Sequence, residues 1–155
     1  YAPNENLYII YLAVIAAATA DTWASEIGSF SYKDPFHVIK FTRVPKGTSG
    51  AISFLGTFGS VLGATTIAIV GLIWNVSLPL IYLIVITGSI GSLVDSFIGG
   101  SIQANFQCLK CNNITEKRTH CNASSLHKSG IYFIDNDMVN FLNTVSAIFI
   151  MIILK

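Results

Sequence analysis

The stretch GTSGAISFLGTFGSVLGATTIAIVGLIWNVSLPLIYLIVITGSIGSLV runs from Gly47 to Val94 without one charged residue. Its length is about twice what one helix needs to cross the ~30 Å hydrocarbon core of a bilayer. Asn75-Val76-Ser77 with Pro79 breaks it into two halves, each near the ~20 residues of a single span. A soluble domain carries roughly 25% charged residues; here the figure is 11%, against 52% hydrophobic. These values exclude an ordinary soluble enzyme and point to an integral membrane protein.

Working outward, a further apolar run lies on each side. The expected fold class is all-α: a polytopic transmembrane helix bundle with four spans, at about residues 7–28, 48–74, 78–99 and 138–154. Helices are expected because lipid offers no partner for backbone N–H and C=O groups. The whole chain, 1–155, reads as one integral membrane domain. It begins at Tyr1 with no basic segment or small-residue cleavage site before the first apolar run. A processed chain or a piece of a longer protein is therefore expected, rather than a signal peptide.

Two long polar loops remain, 29–47 and 101–133. The first holds Lys33, Lys40, Arg43 and Lys46 against Asp34; the second holds Lys110, Lys117, Arg118 and Lys128 against Glu116. Lysine and arginine excess marks cytoplasmic loops. Both loops are thus expected on the cytoplasmic side and both termini outside. The net charge of +1 gives no electrostatic reason to expect nucleic acid as a partner. Oligomeric state is not encoded in any of these features.

The acids gather at the same face. Asp21 and Glu26 close the first span, Asp95 lies near the end of the third, and Asp135 and Asp137 open the fourth. Acids at bilayer depth are costly and usually mark function, although the cost falls near helix ends. Asp21 shares a helix face with Ser25, four residues on, and Thr22 shares the neighbouring face with Glu26. Ser92 stands three before Asp95. Asn136, Asp137 and Asn140 fall on one side of the fourth helix. Such oxygen-rich stripes suit Mg²⁺, which takes one or two carboxylates together with substrate phosphates. Asp21, Asp95, Asp137 and Asn140 are the candidate catalytic residues, the three aspartates being the Mg²⁺ ligands. Ser25 and Asn136 are candidates for phosphate binding, and Thr22, Glu26 and Ser92 for their support. Plainer readings stand beside these: Asp21 and Glu26 paired with Lys33 or Arg43, and Asp135 as an N-cap.

Just before the second span comes Pro45-Lys46-Gly47-Thr48-Ser49-Gly50. It lacks the spacing of a P-loop. It does combine a cation, Lys46, with Gly47 and the hydroxyls of Thr48 and Ser49 at an expected helix N-terminus, where free amides bind anions. The alternative is a turn and an N-cap. All three cysteines sit in the second loop, as Cys108-Leu109-Lys110-Cys111 and His120-Cys121. Two cysteines at this spacing form half of many structural zinc sites. Cys108, Cys111, His120 (or His127) and Cys121 are the candidate Zn²⁺ ligands, the alternative being three ordinary thiols.

Together, ADTWASEIG (20–28), GTSGAIS (47–53), GSLVDS (91–96), the C-x-x-C with its following His-Cys, and NDMVN (136–140) resemble the polytopic membrane family called domain of unknown function 92. That family includes the plant phytyl-phosphate kinase. The resemblance implies phosphoryl transfer from CTP or another nucleoside triphosphate to an isoprenoid monophosphate such as phytyl or geranylgeranyl phosphate, giving the diphosphate. The implied partners are the nucleotide, the isoprenoid phosphate and the lipid bilayer, with the active face cytoplasmic. A CTP-using lipid cytidylyltransferase would need nearly the same residues. A cation or metabolite transporter would place its acids near the midplane. A scaffold pinned by zinc would leave the Asp/Asn cluster without a role.

Overall fold

A computed structural model describes residues 5–155. Four helices, α1 (Glu5–Ser29), α2 (Phe54–Val70), α3 (Leu78–Ser101) and α4 (Asn136–Leu154), form the bundle. A 3₁₀ turn, Gly71–Trp74, prolongs α2. All four helices, α2 taken with this turn, are long and apolar enough to cross a membrane. The molecule is a helical integral membrane bundle with small β elements in its two polar loops.

α1 is central and packs on all three other helices. Its buried residues, Ile9, Leu12, Ala13, Ala16, Ala17 and Ala20, follow the i, i+3, i+4 spacing of one helix face. Most are alanines because the neighbours approach at backbone distance. A Cβ on Gly56, Gly59 or Gly63 of α2 would lie 2.7–2.9 Å from the carbonyl oxygen of Ala24, Trp23 or Thr19 of α1. Small residues at this spacing supply packing in lipid, where a hydrophobic force between helices is missing. The large apolar side chains point outward: Tyr11, Phe58, Ile73, Tyr82, Phe97 and Phe149 are exposed on the bundle exterior. That is the arrangement expected of a surface solvated by lipid tails.

Three helices match their expected spans closely. The second does not: residues 48–53 are not helical, and α2 begins at Phe54. Gly50 has φ +74, which a helix cannot accommodate. The chain instead turns there and forms β2 (Ala51–Ile52), antiparallel to β1 (Phe36–His37). Ser53 then caps α2, its hydroxyl accepting from Gly56 N at 3.0 Å. Asn75, in the left-handed conformation, ends the 3₁₀ turn, and Pro79 opens α3 in its first turn, as the sequence indicates. Asp135 does cap α4, accepting from Met138 N at 3.2 Å.

The second loop folds into a sheet that sequence reading did not foresee: β3 (Asn105–Cys108), β4 (Ile114–Thr115), β5 (Thr119–His120) and β6 (Ala123–Ser129), in the order β4-β3-β6-β5. Phe106 is its buried centre, meeting His127 and Tyr132 edge-on at 5.6 and 6.0 Å between centroids. Because the pairings are antiparallel, the β3–β4 and β5–β6 turns share one end of the sheet. The β4–β5 turn, which carries Glu116, lies at the other.

Candidate functional site

The two loops meet the bundle at a cavity of about 330 Å³ between α1, α2, α3 and residues 45–53. α1 contributes Asp21 and Ser25, α3 contributes Ser92 and Asp95, and the 45–50 loop contributes Lys46, Gly47, Thr48 and Ser49. Asn136 reaches it from α4, and Glu116 from the β4–β5 turn. Asp21 bonds to the Ser92 hydroxyl across α1 and α3. Asp95 lies within electrostatic range of both Asp21 and Glu116. One carboxylate oxygen of Asp95, Oδ1, is buried without a hydrogen-bond partner. An unpaired buried carboxylate oxygen is costly. The oxygens of Asp21, Glu116 and Ser92 in the same cavity suit a hard divalent cation.

Depth follows from helix geometry. At 1.5 Å per residue, Asp21 lies about 12 Å and Asp95 about 9 Å from the loop-bearing ends of their helices. Both stand in the loop-bearing third of the bundle rather than at its centre.

A second cavity, of about 1150 Å³, adjoins the first. The two share Lys46, Gly47, Thr48, Ser49, Glu116 and Asn136 as a common wall. The outer one adds Lys117, Arg118, Asp135 and Asp137. Arg118 is held in place by Asp135, at 3.5 Å, and by the Tyr132 ring, 4.8 Å below its guanidinium. That ion pair is the one found among the described residues. Glu26 therefore has no ionic partner, and Arg43 instead donates to the Asp34 carbonyl at 2.7 Å.

The wall is held from several directions. Lys46 Nζ donates to Ser29 O at 3.1 Å. Both the amide and the hydroxyl of Thr48 bond to Pro45 O, at 3.3 and 2.7 Å. Ser49 donates to Glu116. The expected helix N-terminus at Thr48 is thus corrected: the Thr48 amide and hydroxyl and the Ser49 hydroxyl are engaged in a turn, several residues before the helix begins. Behind the wall, Gly50 presses on Gly100 of α3. The buried His37 also packs on Gly100, its Nδ1 accepting from Ile39 N and Lys40 N at 3.2 and 3.4 Å. Burial, with Lys40 nearby, holds the His37 pKa below its ordinary value.

The remaining expected residues fall elsewhere. Thr22 and Glu26 line neither cavity, and the Thr22 hydroxyl bonds back to Ala18 O at 3.0 Å. Asp137 lines only the outer cavity. Asn140 lines neither, because the buried stripe of α4 runs Val139, Asn143, Ala147, Met151 and leaves Asn140 about 100° round the helix. The asparagine that α4 buries is Asn143, against Gly91 of α3. Glu116 and Gln103 line the inner cavity without having been singled out in the sequence. Glu116 had been read as one charge in a basic loop. Gln103 is an uncharged residue just past an apolar helix, and no local pattern marks it.

At the far end of the sheet, Cys108, Cys111, His120 and Cys121 bring one ligand atom each to within 4.8 Å of the others. His127 packs on Phe106 instead. All three cysteines are free. The backbone amide of Cys111 chiefly, with the His120 side chain and the Lys110 amide, draws the Cys108 thiol down to about 6. A hydrogen bond with Cys111, helped by burial, keeps the Cys121 thiol above its ordinary value. Amides aimed at a sulfur favour thiolate, the form that binds metal. Left-handed backbone at Asn112, Cys121 and Asn122 makes the two tight turns that converge the ligands. The geometry of this Cys/His cluster is one that could hold a metal ion.

The sequence profile of the family described as Integral membrane protein DUF92 matches residues 1–148. The chain belongs to this family. Among curated DUF92 relatives, an uncharacterized membrane protein of Methanocaldococcus jannaschii is 39% identical over 89 residues, 57% of this chain and 37% of its own length. Protein PGR of Arabidopsis thaliana is 30% identical over 87% of this chain and 50% of its own length. Protein VTE6, chloroplastic, of the same plant is 28% identical over 86% of this chain and 33% of its own length. The chain thus spans a third to a half of the relatives it matches. No solved structure matches it.

Proposed function

We propose that this DUF92 protein is a CTP-dependent kinase that converts an isoprenoid monophosphate to the diphosphate at the loop-bearing, cytoplasmic face. The observation that carries the reading is the shared wall at Lys46–Ser49. On one side of it lie Asp21 and Asp95 in a cavity between membrane helices; on the other lies an outer cavity lined by Lys46, Lys117 and Arg118. The isoprenoid phosphate takes the inner cavity, its tail remaining in the bilayer. The nucleotide takes the outer one, with its triphosphate toward the wall. Membership in a family that includes the plant phytyl-phosphate kinase supports the same reaction.

Phosphoryl transfer rests on positioning and charge neutralisation. The acceptor is a phosphate oxygen, ionised at neutral pH, so no general base is needed. That oxygen bonds to the γ-phosphorus, the bond from the γ-phosphorus to its bridging oxygen breaks, and CDP leaves with the electron pair. Asp21 and Asp95 would hold Mg²⁺, and Asp137 would serve the nucleotide side. Mg²⁺, when bound, neutralises phosphate oxygens that would otherwise repel one another and the carboxylates. Lys46 and the 47–49 backbone orient the phosphates, and Ser25 and Asn136 border them. The Cys/His cluster would take Zn²⁺ in a structural role, through four ligands supplied by two turns.

The test is incubation of purified protein with Mg²⁺, each nucleoside triphosphate and a panel of prenyl monophosphates, with both products followed. Release of CDP with prenyl diphosphate is expected, and Asp21→Asn and Asp95→Asn should abolish it. Release of pyrophosphate with a CDP-linked lipid would establish the cytidylyltransferase instead. Turnover by both variants at the wild-type rate would overturn the assignment.

A further inference from the structure

Two residues of the inner cavity have no part in that reading. Glu116 comes from a turn of the loop sheet, far in sequence from either transmembrane aspartate. It nevertheless lines the cavity with Asp21 and Asp95 and lies within electrostatic range of Asp95. Ser49 holds it there. Among the described residues of this cavity the one cationic side chain is Lys46, which is bonded to the Ser29 carbonyl. Three carboxylates from three separate elements therefore converge without an ionic partner, and Asp95 Oδ1 is buried with nothing to accept from.

Gln103 adds an independent sign of a ligand. It is 4% exposed, lines the same cavity, and its Nε2 is buried without a partner. A buried amide N–H₂ left unsatisfied is costly. Its position is not accidental slack at a helix end. Ala104 N donates to Ile134 O at 2.7 Å, Ile131 N donates to Ile102 O at 2.9 Å, and Asn105 Nδ2 donates to the Gln103 carbonyl at 3.2 Å. Gly130, at φ +81, lies so near that carbonyl that no side chain fits there. The segment is strapped on both sides, which holds the Gln103 side chain in the cavity wall. A cation among carboxylates and an oxyanion on an amide donor are the two halves of one ligand, a metal-bound phosphoryl group.

We infer that the inner cavity is a divalent-cation and phosphoryl site in which Glu116 is the third carboxylate ligand, carried there by the loop sheet, and Gln103 Nε2 donates to a phosphoryl oxygen. The inference deepens the kinase reading and rests on its placement of phosphate in this cavity. It also ties the Cys/His cluster to the site, since the sheet that the cluster closes at one end presents Glu116 at the other.

The probes are Mn²⁺, followed by electron paramagnetic resonance, and inorganic phosphate, with the full-length protein in detergent. Wild-type protein should bind Mn²⁺, and phosphate should tighten that binding. Glu116→Gln keeps an oxygen to accept from Ser49 and should fold normally. It should weaken Mn²⁺ binding by at least about tenfold, with or without phosphate. Gln103→Met keeps the volume and removes the donor. It should leave Mn²⁺ affinity alone but lose the tightening by phosphate. Thermal unfolding of each variant within a few degrees of wild type certifies the comparison. Unchanged Mn²⁺ affinity in Glu116→Gln, or full tightening in Gln103→Met, overturns the inference. Wild-type protein that binds Mn²⁺ in a Glu116-dependent way but turns over no prenyl phosphate would overturn the kinase reading and leave this site standing.

Discussion

The Ser49 hydroxyl donates to the Glu116 carboxylate, joining the 45–50 loop to the β4–β5 turn across the mouth of the cavity. This contact links two polar loops that are separated in sequence by two membrane helices. If it positions Glu116 for ligand, the two residues are not independent. Ser49→Ala and Glu116→Ala should each raise the KM for nucleotide, and the double variant should cost less than the sum. A coupling of about 1 kcal/mol, roughly fivefold, is expected from a double-mutant cycle on kcat/KM. Strict additivity would show that the bond has no functional role.

Gly50 and Gly47 separate packing from conformation. Both have positive φ, +74 and +80, but Gly50 abuts Gly100 while Gly47 faces open space. Gly47→Ala should cost about 1–2 kcal/mol for the left-handed backbone alone. Gly50→Ala adds a collision between backbones and should lower the thermal unfolding midpoint clearly further. The measurement is tryptophan fluorescence in detergent for both variants.

The Cys/His cluster should show a pH threshold. The Cys108 thiol titrates near 9.0 in the free side chain and at about 6 in the folded loop. Because folding lowers it, its stabilising effect is complete above the unfolded value and is lost as pH falls through about 6. Metal content by elemental analysis should be one Zn²⁺ per chain at pH 7.5 and should decline below pH 6. Cys108→Ser should remove it at all pH values and lower the unfolding midpoint.

The helix positions predict a graded series. Asp95→Asn, in the inner cavity, should abolish turnover. Asp137→Asn, which touches only the outer cavity, should raise the KM for nucleotide about tenfold, a loss near 1.4 kcal/mol, with kcat less affected. Asn140→Ala, on neither wall, should stay within about twofold of wild type. Equal losses in all three would mean that α4 contributes more to the site than its buried stripe allows.

Composition and spacing made the bundle legible. A charge-free run longer than two bilayer crossings admits few folds, and Asn75 with Pro79 marks where it turns. The i, i+4 relation was equally informative on α1, where the cavity takes Asp21 and Ser25 and leaves Thr22 and Glu26 outside. It failed on α4, where the same rule suggested Asn140 and the packed face proved to be that of Asn143. Periodicity tells which residues share a face, but not which face meets the neighbours when lipid makes both sides apolar. The loop sheet was hidden for a different reason. Its strands are only two to seven residues long, too short for an alternating pattern to announce them.

The sequence by itself determined that this is a four-helix membrane protein, that its acids gather toward one end, and that its three cysteines share one loop with two candidate histidine ligands. Each of these is a local property, set by hydropathy over one span or by spacing within a few residues. Only the tertiary structure decided that Glu116 and Gln103 belong with Asp21 and Asp95, and that Lys46–Ser49 divides two cavities. Those relations join residues across helices and loops, and they depend on backbones that touch at Gly50 and Gly100. Such long-range proximity is set by packing, which no run of neighbouring residues encodes.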